Sequence, residues 1–243
     1  MQPELKPVRT DDQGFGRGTP YAPVQDVTVT AESQKVLRNT YMLLALTMVP
    51  TVIGAWIGMA TSGIIMASPI ISTLVMLAAV IGLQFGIAAN RNSGVGIALL
   101  LLMTGLVGMF LGPLLNVALS MRNGVQLVSY AAVGTGVIFL GMGVVAQSIK
   151  RDLAFMGKFL FVGMIALLVA MLANMFLQIP ALALTISTLV IVVFSLFLLY
   201  DLQRIMRGGE TNYVMATTGV YLSLLNIFSS LLHLLMAFTG ERD

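Results

Sequence analysis

The chain has 243 residues, 58% of them hydrophobic and only 9% charged, whereas a soluble domain of this size carries about a quarter charged residues. That balance excludes an ordinary soluble globular protein. The net charge of +3 contains no basic run or aromatic-interleaved basic patch, which argues against nucleic-acid binding; with no cysteine, disulfides, thiolate-held zinc and iron–sulfur clusters are excluded as well.

In chain order, residues 1–30 come first, rich in Pro, Gly, Asp and Gln, and a disordered tail is expected there. They hold no apolar h-region, so no cleaved signal peptide is expected and the first membrane helix should act as its own signal. Thr30 stands where it can cap a short amphipathic helix, Ala31–Asn39, leading into the first span. The tail has two readings: a recognition handle, or a solvated leader that only satisfies the topology rule.

Seven apolar runs of about twenty residues follow, each long enough to cross roughly 30 Å of hydrocarbon. They are Tyr41–Ala60, Pro69–Ala89, Gly96–Leu115, Leu127–Gln147, Leu153–Met175, Ile179–Tyr200 and Tyr213–Phe238. The predicted fold is an all-α polytopic membrane protein, with residues 31–243 forming one seven-helix transmembrane domain. Ten Lys/Arg lie in the amino-terminal tail (Lys6, Arg9, Arg17, Lys35, Arg38) and the loops at Arg91, Lys150–Arg151 and Arg204–Arg207. The alternate loops hold only Arg122 and Arg242, so the positive-inside rule places the amino terminus in the cytoplasm and the carboxyl terminus outside. Lys158, near the start of the fifth span, can snorkel toward the headgroups.

Gly54/Gly58, Gly82/Gly86 and Gly105/Gly108/Gly112 form small-residue faces that let membrane helices approach closely. They serve either a homodimer or, as every polytopic bundle requires, packing within one bundle. Tyr41, Tyr200 and Tyr213 fit an interfacial aromatic belt.

Catalytic chemistry is thin. The seventh span lacks the lysine of a retinal protein, and a single histidine rules out an HExxH zinc site. Ser223 and His233 share a helix face but lie about 15 Å apart along it, too far for a nucleophile–base hydrogen bond. No enzyme, cofactor or metal site is expected.

What remains is a polar stripe on the seventh span. Ser223, Asn226, Ser230 and His233 fall within roughly 80° of one another on a 3.6-residue helix, so they face a partner helix or a cavity rather than lipid. Gln84 and Asn116 are candidate partners across the bundle. His233 reads as a pH sensor or as a neutral residue bonded to a neighbouring helix. Asp201, at the end of the sixth span, reads either as a proton- or cation-sensing carboxylate or as an interfacial ion pair with Arg204 at i,i+3.

The block GGETNYVMATTGVYLSLLNIFSSLLHLL (Gly208–Leu235), preceded by LYDLQRI (Leu199–Ile205), closely resembles the end of the Bax inhibitor-1/YccA family of seven-span proteins. AANRNSG (Ala88–Gly94) and MFLGPLL (Met109–Leu115) fit the same family. The resemblance to its YccA branch implies an inner-membrane protein of bacteria that binds the AAA protease FtsH and its HflK/HflC partners as slow substrate and modulator. Residues 1–35 would be the partner-binding handle. The wider family also implies a pH-sensitive calcium leak, with Asp201 matching a carboxylate that other members pair with a second Asp and latch with a basic residue after the second span. Here Ser223 stands at the second position. One carboxylate and a hydroxyl cannot share a proton as two carboxylates do, and the oxygen set for Ca2+ loses a charge. What the resemblance then leaves at the site is an Asp201–Arg91 ion pair with Ser223 and Asn226 nearby.

Overall fold

A computed structural model describes residues 31–149 and 153–240. The tail expected to be disordered, residues 1–30, lies outside the described residues. All the regular structure described is helical: α1 (Ala31–Ala60), α2 (Ser62–Ala67), α3 (Pro69–Ala89), α4 (Gly94–Ser120), α5 (Gly124–Ser148), α6 (Ala154–Leu177), α7 (Pro180–Met206) and α8 (Tyr213–Gly240). Seven of these are long and apolar enough to cross a membrane; α2 is the exception. The protein is therefore a seven-span helical membrane protein, as its hydropathy predicts.

Most span ends shift by up to five residues, and three differences from the sequence expectation go further. The cap-proximal helix and the first span are one continuous α1: nothing between Asn39 and Tyr41 breaks a helix, the Thr40 hydroxyl bonds back to the Val36 carbonyl at 2.8 Å, and Pro50 further on is accommodated within the same helix. The short α2 was not anticipated; Asn116 Nδ2 donates to Ser62 Oγ at 2.9 Å and ties it to α4. Finally, α7 runs to Met206 rather than Tyr200, so Asp201 lies inside a helix instead of at its end. Polar residues prolong a membrane helix past its apolar stretch when their side chains find partners, and Gln203 and Arg207 do. Gln203 accepts from the Leu153 N–H at 3.1 Å, and Arg207 Nη2 donates to the Ile149 carbonyl at 2.8 Å, clamping the α5–α6 connection onto the end of α7.

The seventh span, α8, is the axis of the bundle. It packs on α1, α4, α5 and α7 and also touches α3. The main core lies where these helices meet, around Leu100, Met103, Leu198, Leu202, Val220, Tyr221 and Ile227. By contrast α3, α5 and α6 expose Leu74, Phe85, Val133, Leu140, Phe159 and Val162, the lipid-facing surface of a bundle without water around it.

The tightest packing joins α1 to α4. Carbon atoms added at Gly54, Gly58, Gly108 and Gly112 would overlap the backbones of Gly105, Met109, Thr51 and Gly58 respectively. The close approach also answers a proline. Pro113 offers no N–H to the Met109 carbonyl one turn back, and the Gly58 Cα–H points at that carbonyl instead. These glycines serve packing within the bundle. Gly82 meets nothing within 4 Å, and Gly86 meets only a Leu99 methyl.

Candidate functional site

At the end of the bundle where α7 stops and α8 begins, a cavity of about 180 Å³ opens between α3, α7 and α8. Gln84 of α3, Asp201, Arg204 and Ile205 of α7, Glu210 of the connecting turn, and Met215, Ala216, Thr218 and Gly219 of α8 line it. The turn has a physical cause in the sequence. Gly208 takes a left-handed conformation (φ +72°) that a Cβ would strain, its N–H reaches the Ile205 carbonyl at 3.1 Å, and the Gly209 N–H reaches the Arg204 carbonyl at 2.9 Å. This is a Schellman stop, and it curls the chain back so that Glu210 lies beside the last turn of α7.

Glu210 Oε2 then pairs with Arg204 Nη2 at 3.1 Å, while Glu210 Oε1 accepts the Asn212 N–H at 3.0 Å. Asn212 is the N-cap of α8: its Oδ1 accepts from Val214 at 3.0 Å and Met215 at 3.1 Å. Its Nδ2 donates to the Arg91 carbonyl at 2.9 Å and Asn92 Oδ1 at 2.8 Å, binding the α3–α4 turn to the start of α8.

Asp201 sits against the α8 backbone. A Cβ on Gly219 would lie 2.8 Å from Asp201 Oδ2, so any larger residue there must displace the carboxylate. The site anticipated around Asp201 is thus differently composed. Arg91 contributes a backbone carbonyl to Asn212 and makes no ion pair with Asp201; among the described residues the ion pair is Arg204–Glu210. Nor does Arg204 pair with Asp201, although it is one turn away. Ser223 and Asn226 lie one and two turns further along α8 from Gly219 and do not line the cavity. Of the cross-bundle candidates, Gln84 lines it and Asn116 does not.

The polar stripe on α8 is a seam. Ser223 and Ser230 are buried, and Asn226 Nδ2 donates to the Leu222 carbonyl at 2.8 Å within its own helix. His233 Nδ1 lies 2.9 Å from Ser187 Oγ on α7, and the same hydroxyl lies 2.9 Å from the Ala183 carbonyl. The histidine is hydrogen-bonded to a neighbouring helix, the plainer of its two readings. A residue missed from sequence completes the seam: Tyr221 is fully buried, its hydroxyl 2.9 Å from Thr51 Oγ1 and 3.2 Å from the Thr104 carbonyl, joining α8 to both α1 and α4. Glu210 and Asn212 were also missed, though signals for both exist. A Gly-Gly pair ends a helix and returns the next residue to it, and an Asn directly before an apolar run caps one.

Fold and site together define a seven-span helical bundle with a central polar-seamed helix and a carboxylate-bearing cavity at one end. Comparison with known proteins gives this class its family. The family model described as inhibitor of apoptosis-promoting Bax1 matches residues 33–240, and the chain belongs to that family, the Bax inhibitor-1 family that the Gly208–Leu235 block resembles. It is 43% identical over 206 residues to an uncharacterized membrane protein of Vibrio cholerae, covering 85% of this chain and 91% of that one. It is 38% identical over 210 residues to the Escherichia coli protein named modulator of FtsH protease YccA, covering 86% of this chain and 93% of that one. A Neisseria meningitidis relative is 38% identical over 223 residues, 90% of this chain.

Proposed function

We propose that this protein is a non-enzymatic modulator of an FtsH-type protease in the bacterial inner membrane, with HflK/HflC-type proteins as further partners. The observation that carries this reading is the likeness, at 38% identity, to nearly the whole of the E. coli relative that bears the modulator name. In this reading residues 1–35 form the handle on the cytoplasmic, protease side, as the charge bias requires. The bundle's construction is consistent with slow extraction. Any pull on the tail meets α1 first, and α1 is held backbone to backbone against α4. Affinity purification of the full chain from native membranes should bring down the protease subunits. Deleting residues 1–35 should abolish turnover of this protein by the protease while leaving its insertion intact; unchanged turnover after deletion removes the handle.

One structural observation favours a second reading, a cation leak centred on Asp201. A carboxylate facing a cavity inside a membrane helix is costly unless it has a use. Proteoliposomes should then show a Ca2+ flux that Asp201→Asn alters, and the absence of flux at neutral and mildly acidic pH ends this reading.

A further inference from the structure

We propose that Glu210 is the positioning residue of this cavity: by holding Arg204 at the α7–α8 turn, it leaves the Asp201 carboxylate free to face the cavity. The inference rests on the second reading above, that the cavity is a working site. Asp201 and Arg204 are three residues apart on one helix, the spacing at which Asp and Arg ordinarily pair. An ion pair is worth more to a half-buried carboxylate such as Asp201 than to a fully exposed one, because less water competes for the charge. Yet Arg204 turns away. Its Nη2 goes to Glu210 Oε2 at 3.1 Å and its Nε to the Gly209 carbonyl at 3.2 Å. Asp201, pressed against Gly219, receives no hydrogen bond or ion pair among the described residues.

The competitor is itself fixed. The Glu210 N–H reaches the Arg204 carbonyl at 3.2 Å, and both carboxylate oxygens are engaged, one by Arg204 and one by the Asn212 N–H. Asn212 in turn is anchored to the α3–α4 turn through Arg91 and Asn92. With Glu210 neutralised, Arg204 has a single remaining carboxylate within a helical turn, and folding back onto Asp201 carries the guanidinium deeper into the cavity whose wall it already forms.

The chain has no cysteine, so one introduced thiol reports on this cavity alone. In full-length protein in nanodiscs carrying Met215→Cys, a small cationic methanethiosulfonate reagent should modify the thiol several-fold more slowly after E210Q, since Arg204 then narrows the cavity and repels the reagent. Adding R204Q, or adding D201N so that Arg204 has no target, should restore the parent rate. Glu210→Asp, a gentler change that retracts the carboxylate by one methylene, should give a partial fall that R204Q also reverses. A rate unchanged or raised by E210Q, or a fall that neither second substitution reverses, overturns the proposal. The assay involves neither ion flux nor protease, so its failure is distinguishable from failure of either reading above.

Discussion

Two regions of this bundle are built by opposite means. Where α1 meets α4, glycines bring two backbones together and leave no space for a side chain. Where α7 turns into α8, another glycine, Gly219, makes room, but for a carboxylate and the cavity it faces. In lipid there is no hydrophobic drive to press helices together, so close packing and hydrogen bonds do the holding. The first region gives everything to contact. The second gives up contact, and what it gains is a place where charged groups can exchange partners. Stability should therefore respond most to the first region, and chemistry to the second.

The largest effect is expected where added volume meets backbone. Gly112→Val would drive a branched side chain into the Gly58 backbone, and no rotamer avoids it because the Cβ itself overlaps. Overpacking that a flexible side chain can absorb costs roughly 1–3 kcal/mol, and a clash with a fixed backbone should exceed that range. The expected outcome is loss of monodisperse folded protein on size-exclusion chromatography in detergent. A variant that folds with native thermal stability would show that α1 and α4 are looser than described.

Next comes Gly219→Ala, which sharpens the contrast because its obstacle is a side chain. The added methyl meets Asp201 Oδ2 rather than backbone, so a cost of about 1–3 kcal/mol is expected, read as a lowered unfolding temperature. The diagnostic is non-additivity: shortening the obstacle with Asp201→Ala should recover much of the loss. Gly112→Val has no such suppressor.

A loss of similar or smaller size, about 0.5–2 kcal/mol, is expected for Asn212→Ala, which removes the α8 cap and the side-chain bonds to the α3–α4 turn. Tyr221→Phe should cost about 1 kcal/mol, because one hydroxyl is lost while its partners keep other bonds: Thr51 still donates to the Thr47 carbonyl. Thermal unfolding of both variants in one detergent tests the order.

The two regions also differed in how far the sequence alone could be read. Spans are legible because hydrocarbon thickness sets helix length, and Pro69–Ala89 is the same in sequence and structure. The glycine face of α1 and α4 was visible as a small-residue pattern, though not which glycines face a partner. The site was legible only in part. Asp201 stood out as a carboxylate next to hydrocarbon, but its neighbours are chosen by a reversal of the chain at Gly208–Gly209, which brings up Glu210 from nine residues away. The resemblance drew attention to Arg91 and Ser223, whose side chains stand outside this cavity. Partner choice among charges depends on turn geometry and helix rotation, and hydropathy carries neither.

The smallest effect tests whether a glycine pattern by itself means packing. Gly136 on α5 and Gly82 on α3 stand in the same kind of apolar helix as Gly112, yet an added Cβ at either meets nothing within 4 Å. Replacing glycine by alanine inside a helix removes backbone freedom from the unfolded chain, a gain of roughly 0.4–1 kcal/mol where nothing is struck. Gly136→Ala and Gly82→Ala should therefore leave the unfolding temperature unchanged or slightly raised. A marked loss at either position would mean that α5 or α3 packs through that face against another chain. The contrast between a glycine-locked interior pair and lipid-facing outer helices would then have to be redrawn to include an interface at the rim of the bundle.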